Sequence, residues 1–204
     1  MTRWLPLYLR SRRLPVALPA ALAGIAVMWG GWSFFTDRRE VPVSLTVLTV
    51  ALALAPLIPT LSSDDDSLEA TAARPWLPRR MTHLIAGCVV VAALVAATRT
   101  TGAWFGPTGV VLRDAAGLTG LIGLGVALGG VRLAWQVPVS WTAMQMLIGE
   151  SGSTGWRQVV FWETQLPGNR VAAVTAGLFL LSGVLAYGLR VGPRIAPAEA
   201  TMVQ

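Results

Sequence analysis

Residues 137–149 read VPVSWTAMQMLIG. Apart from Ser140, Thr142 and Gln145 the run carries no hydrogen-bonding side chain except the Trp141 indole. A helix of this length rises only about 20 Å, short of the roughly 30 Å of a bilayer's hydrocarbon core, and falls in the range of re-entrant segments. Its reading decides the fold, because longer apolar runs lie on both sides of it. Counted as a crossing, it makes the sixth and puts both chain ends on one side. Left out, five crossings remain and the ends are opposed.

The longer runs are Val16–Phe35, Val41–Leu61, Met81–Thr98, Ala115–Ala134 and Val171–Leu189. Each approaches the length of about 20 residues that a spanning helix needs. The chain of 204 residues is 54% hydrophobic and 13% charged, about half the charge of a soluble domain, and its mean hydropathy is +0.60. These observations predict an all-α, polytopic membrane helix bundle. An arginine-rich start followed by an apolar run also suggests a signal peptide, and Ala21–Ala23 resembles a cleavage site. The run continues well past that site and exceeds a signal core of about 7–15 residues, so it is read as a span.

Arginine placement favours six crossings. Every one of the 16 basic residues is arginine. With six crossings, ten arginines, among them Arg3, Arg10, Arg12, Arg13, Arg79 and Arg80, share one side and six share the other. Moving Arg190 and Arg194 across, as five crossings require, leaves eight on each side. The positive-inside rule then puts both termini in the cytoplasm. The expected organisation is an amphipathic segment over 1–13, a transmembrane domain over 14–190 with a short fifth crossing, and a cytoplasmic tail over 191–204. The expected setting is a cell membrane, and the bilayer itself is a partner.

Composition also excludes chemistries. Without lysine there is no phosphate-binding Walker lysine and no Schiff-base lysine. One histidine, His83, and one cysteine, Cys88, exclude multi-His or multi-Cys metal clusters and an internal disulfide. Cys88 reads as a packing residue. The arginines flank apolar runs, so the net charge of +6 reads as membrane-surface charge and not as a nucleic-acid footprint. No cofactor is implied, and no nucleophile–base pair appears, so the chain does not read as an enzyme. Eight of the nine tryptophans, Trp162 among them, fall near proposed span ends, where indoles anchor at the headgroups; Trp141 lies within a run.

Within the fourth run, Gly117, Gly120 and Gly123 recur every three residues, and Gly125 and Gly129 form a small-xxx-small pair. Such glycines let helix backbones approach closely in lipid, either within the chain or between two copies. Arg113 and Asp114 precede this run and read as an interfacial pair. Gln145 either bonds a neighbouring helix or lines a path. Glu150 and Glu163 show no spacing that pairs them as acid and base. The patch WRQVVFW (156–162) is amphipathic and aromatic, fit to lie in or dip into a leaflet.

The polar stretch SSDDDSLEATAARPWLPRRMTH (62–83) falls on the cytoplasmic side between the second and third runs. Asp66 followed by Glu69 resembles a capping box, and Pro75 disfavours helical geometry at Arg74, so a short helix is expected over Asp66–Arg74. Calcium loops need alternating ligands and a glycine turn, which DDDSLE lacks. A solvated loop and a docking helix for a cytoplasmic partner both fit.

This layout resembles the membrane subunit of type-2-class ABC exporters. That class has an amphipathic helix before the first span, six spans with cytoplasmic termini, a coupling helix between spans two and three, and a membrane-dipping segment between spans five and six. The corresponding stretches here are Thr2–Arg13, the six runs, Asp66–Arg74 and Gly155–Gln165. The wording LEATAARPWLPRR, RDAAGLTGLIGLGVALGG and LAWQVPVSW also resembles small actinobacterial membrane proteins associated with ABC ATPases. The resemblance implies a permease subunit that works as a homo- or heterodimer. A separate ATPase subunit would grip it at Asp66, Glu69 and Arg74. A non-transporting accessory or assembly protein, and a membrane enzyme, are the other classes that fit.

Overall fold

The computed structural model describes residues 4–62, 77–149 and 152–190. Asp66, Glu69, Arg74, Glu150 and the 191–204 tail lie outside them. The described chain is helical, with one isolated bridge between Glu40 and Trp104.

The first helix, α1 (Trp4–Ser11), is set off from α2 (Leu14–Phe35) by Arg13. At φ 56° Arg13 is the one non-glycine residue in the left-handed region among those described, and its N–H closes a turn onto the Arg10 carbonyl at 3.0 Å. Pro15 follows in the first turn of α2, where a missing N–H forfeits no helical bond. Next come α3 (Val43–Leu54) and a 3₁₀ segment over Ala55–Leu61. Pro56 and Pro59 lack N–H groups and crowd the preceding turn, so the ladder tightens into 3₁₀ geometry. The remaining helices are α4 (Leu77–Ala97, extended by a 3₁₀ turn to Thr100), α5 (Thr108–Gly129), α6 (Gln136–Ile148), α7 (Arg157–Val160) and α8 (Arg170–Arg190).

Five of these stretches, Leu14–Phe35, Val43–Leu61, Leu77–Thr100, Thr108–Gly129 and Arg170–Leu189, are long and apolar enough to cross a membrane. Their outer faces carry large exposed apolar side chains such as Val16, Phe34, Val89 and Leu181, the pattern of helices solvated by hydrocarbon. The bounds differ from the sequence expectation. The first and third spans begin at Leu14 and Leu77 in place of Val16 and Met81. The fourth runs 108–129 in place of 115–134. It stops early because Gly130 adopts φ 75° and its N–H caps onto Val126. It starts early because Arg113 and Asp114 neutralise each other inside the bundle instead of standing at its edge.

Helix α5 is the hub: 83% of its apolar window is buried, against 17% for α2. Its main partner is α8, and the contact is glycine-made. A Cβ on Gly120 would collide with the backbone of Phe179 and Leu180, and one on Gly123 would meet Gly183 at 2.7 Å; Gly183 in turn faces the Gly120 backbone. Gly125 abuts the Ala134 carbonyl, Gly117 makes room for the Trp162 ring, and Gly129 lies beside Leu133. These five predicted packing glycines are thus occupied by intramolecular neighbours.

Contact positions rise together on α5 and α8 (Gly120 with Phe179, Gly123 with Gly183), so the two helices run parallel. The chain between them must return along the bundle. Helix α6 covers about 20 Å of that return, and residues 149–169 make up the rest. At one end of the bundle the Tyr187 hydroxyl donates to the Leu61 carbonyl at 2.7 Å, and Gly188 packs on Met81 and Leu77. At the other end Val41 N–H bonds the Trp104 carbonyl (3.0 Å) and Trp104 N–H the Arg39 carbonyl (2.9 Å). There the Trp29 and Trp32 indoles donate to the Ala103 and Arg38 carbonyls, whereas Trp162 is wholly buried and not a belt residue. The room that Gly117 leaves accounts for that exception.

Candidate functional site

Where α5, the end of α6 and the 161–169 segment meet, a polar cluster occupies the interior. Arg113 and Asp114 lie in the second turn of α5; Asp114 stands about 9 Å along the helix from Thr108. Both are buried among protein groups inside the bundle. Arg113 is accommodated because each face of its guanidinium fork has an acceptor. Nε donates to Asp114 Oδ1 (2.8 Å), one terminal nitrogen to the Gln165 carbonyl (2.9 Å) and the other to the Glu163 carbonyl (2.6 Å). A planar donor fork of this kind suits several fixed acceptors at once.

Helix α6 supplies the opposite wall. Thr142 and Gln145 are three residues apart and therefore share a helix face. The Gln145 side-chain oxygen accepts the Glu163 N–H at 3.0 Å, and the Thr142 hydroxyl points at Glu163 Oε1 at 3.4 Å. Gln145 is thus a bond to a neighbouring segment. Gln165 donates to Ser153 Oγ (2.8 Å) and to the Phe161 carbonyl (3.1 Å). Asn169 caps α8, its side-chain oxygen accepting the Ala172 N–H at 3.1 Å, a standard N-cap bond. The Trp162 ring is wedged against Gly117 and beside Phe179, which also meets Trp141 edge-on.

The charges nearly cancel. Arg113 and Asp114 form a buried ion pair. Glu163, outside the spanning helices, has its carboxyl pushed up to about 8, first by burial and then by the negative charge of Asp114; the Thr142 bond and the Arg113 charge pull the other way more weakly. Burial thus favours the protonated form of this carboxyl. Asp114 Oδ2, Glu163 Oε2, Gln145 Nε2 and the Trp162 indole N–H have no hydrogen-bond partner among the described residues. Buried polar groups are paired in the great majority of cases, so these acceptors and donors form a concentrated exception. Chemically, the cluster sets unpaired buried donors and acceptors around one ion pair. Among the described residues no three His, Cys, Asp or Glu side chains gather as a metal site.

Comparison with known families, curated proteins and solved structures finds no match to this chain.

The other singled-out residues are elsewhere. His83 faces Thr60, with 2.9 Å between Nε2 and the hydroxyl oxygen, and Cys88 is buried and free. The association of Asp114 with Glu163 spans 49 positions and two chain reversals, so no local spacing in the sequence marks it. The available signal was indirect: Thr142 and Gln145 on one face of α6, and a glycine at 117 opposite a run with two tryptophans.

Proposed function

We propose that this chain is the permease subunit of an ABC-type exporter, coupling a separate ATPase to movement of a substrate across a bacterial plasma membrane. The observation that carries the reading is the discontinuous return between α5 and α8. Helix α6 stops after 13 residues beside Glu163, and irregular backbone continues around buried ionisable groups. Non-helical backbone at membrane depth is tolerated where protein or an aqueous path surrounds it. Broken crossings with polar groups at the break are a recurring feature of transport proteins, and ionisable groups inside a bundle point to function by default.

The gathering of Leu61, Leu77 and Tyr187 at one end of the bundle, with the parallel α5–α8 pair, supports six crossings and both termini on one face. The arginine count supports that face being cytoplasmic. There the segment carrying Asp66, Glu69 and Arg74 would receive the ATPase, and two membrane subunits would enclose the path. Its tightly locked α5–α8 glycine pair favours a second reading, a rigid accessory or assembly protein that moves nothing.

Co-purification from the native host separates the two. The permease reading expects a bound ATPase whose hydrolysis depends on this chain and is lost when Glu69→Arg and Arg74→Glu are combined. An ATPase that stays bound and fully active in that variant overturns the coupling assignment. A chain that purifies without any ATPase, and whose host is indifferent to Arg113→Leu, fits the accessory role. A reporter map placing Gln204 outside rejects the six-crossing topology.

A further inference from the structure

A cavity of about 480 Å³ lies at the Leu61–Tyr187 end of the bundle, between α2, the 3₁₀ segment and α4, with Ile122 of α5 at its back. Its volume is that of a small-ligand site, about 300–1,000 Å³, and its walls are largely apolar, leucine being the commonest residue. Thr82, Ala86 and Val90 line it and are also exposed on α4. At spacings of four they fall along one face of the helix. The mouth is therefore a slot running parallel to the helix axis and opening sideways. In a spanning helix that direction is hydrocarbon, not water.

Charge is placed at one end of the slot. Arg79, in the first turn of α4, lines the cavity, as does His83, bonded to Thr60. Arg80 follows Arg79 in the first turn of α4, and Arg10 and Arg13 stand at the α1–α2 junction. An apolar slot open to the bilayer and basic at its surface end matches an acyl chain joined to an anionic headgroup. Arginine's fork suits phosphate in particular, and a cluster of basic residues at the membrane surface selects anionic lipid.

We propose that this cavity holds one acyl chain of an anionic glycerophospholipid, with its phosphate drawn to Arg79. The site stands on the membrane fold alone and is independent of the transport reading.

The test uses the full chain in nanodiscs of phosphatidylcholine containing a trace of phosphatidylglycerol with a diazirine on its acyl chain. Photolabel is expected to concentrate in peptides 54–61 and 77–90. Unlabelled phosphatidylglycerol should compete about fivefold better than phosphatidylcholine for each arginine engaged. Ala86→Trp, at the exposed mouth, should remove that label while leaving label on the exposed face of α8 unchanged. Arg79→Gln should reduce the preference for phosphatidylglycerol without changing labelling by a phosphatidylcholine probe. Equal competition by the two lipids, or cavity labelling that survives Ala86→Trp, overturns the proposal. Stronger competition by palmitate than by phosphatidylglycerol also overturns it, in favour of a free fatty acid.

Discussion

The Tyr187 hydroxyl donates to the Leu61 carbonyl at 2.7 Å across 126 residues of sequence, joining the last spanning helix to the end of the second. Tyr187 is almost wholly buried, and Leu61 ends a 3₁₀ segment whose final carbonyls have no helical partner. Tyr187→Phe keeps the ring and removes the donor, leaving a buried acceptor unpaired. The expected loss is about 1–3 kcal/mol of stability, read as a lower unfolding midpoint in detergent. A variant as stable as the parent would mean that the carbonyl finds another donor at no cost.

The α5–α8 contact predicts a graded response to added side chains. Gly120→Leu and Gly183→Leu each drive a side chain into facing backbone, which cannot move aside as a rotamer can. Both are expected to prevent assembly of the bundle, seen as loss of monodisperse protein. Gly129→Ala meets only the Leu133 side chain, at 3.2 Å, and removes a helix-weakening glycine. Its stability should change by less than about 1 kcal/mol. If Gly120→Leu were tolerated as well as Gly129→Ala, the helices would not be in backbone contact there.

The spacing of Gly117, Gly120 and Gly123 was legible in the sequence, and these meet Trp162 and α8, whereas Gly125 and Gly129 meet only the following turn at Ala134 and Leu133. The apolar runs were legible too, since a bilayer imposes their length. What escaped was set by pairing across the chain. Arg113 and Asp114 looked too polar to lie inside a span, and only the Glu163 and Gln165 carbonyls, some 50 residues away, make their burial possible. Trp162 looked like an interfacial anchor because nothing in its neighbourhood reveals Gly117 beneath its ring. Six crossings already imply that the fourth and last runs are parallel; what 137–149 did not reveal is that the return is completed by the irregular 149–169 segment packed around Arg113.

The buried Arg113–Asp114 pair predicts a marked non-additivity. Arg113→Leu leaves the Asp114 carboxylate and two carbonyls without their donor and should cost about 3–5 kcal/mol, as breaking one side of a buried pair does. Replacing both, Arg113→Leu with Asp114→Leu, removes the stranded charge and should recover part of that loss, though the Glu163 and Gln165 carbonyls stay unpaired. A double-mutant cycle read by denaturant unfolding in detergent measures the coupling. Simple additivity of the two losses would show that the residues do not act as a pair.

Glu163 predicts a pH dependence with a definite sign. Burial pushes its folded carboxyl up to about 8 from the 4.5 of an ordinary glutamate, so between those values the folded chain holds a proton that the unfolded chain has released. The resulting stabilisation is fully present below about pH 4.5 and is lost as pH rises through 8. Glu163→Gln keeps a neutral polar group of the same size without the titration. Its unfolding midpoint should therefore fall less steeply between pH 5.5 and 9 than the parent's, with the variant the more stable of the two at pH 9. A parent and variant with parallel pH profiles would place Glu163 in contact with water, and the buried cluster around it would have to be redrawn.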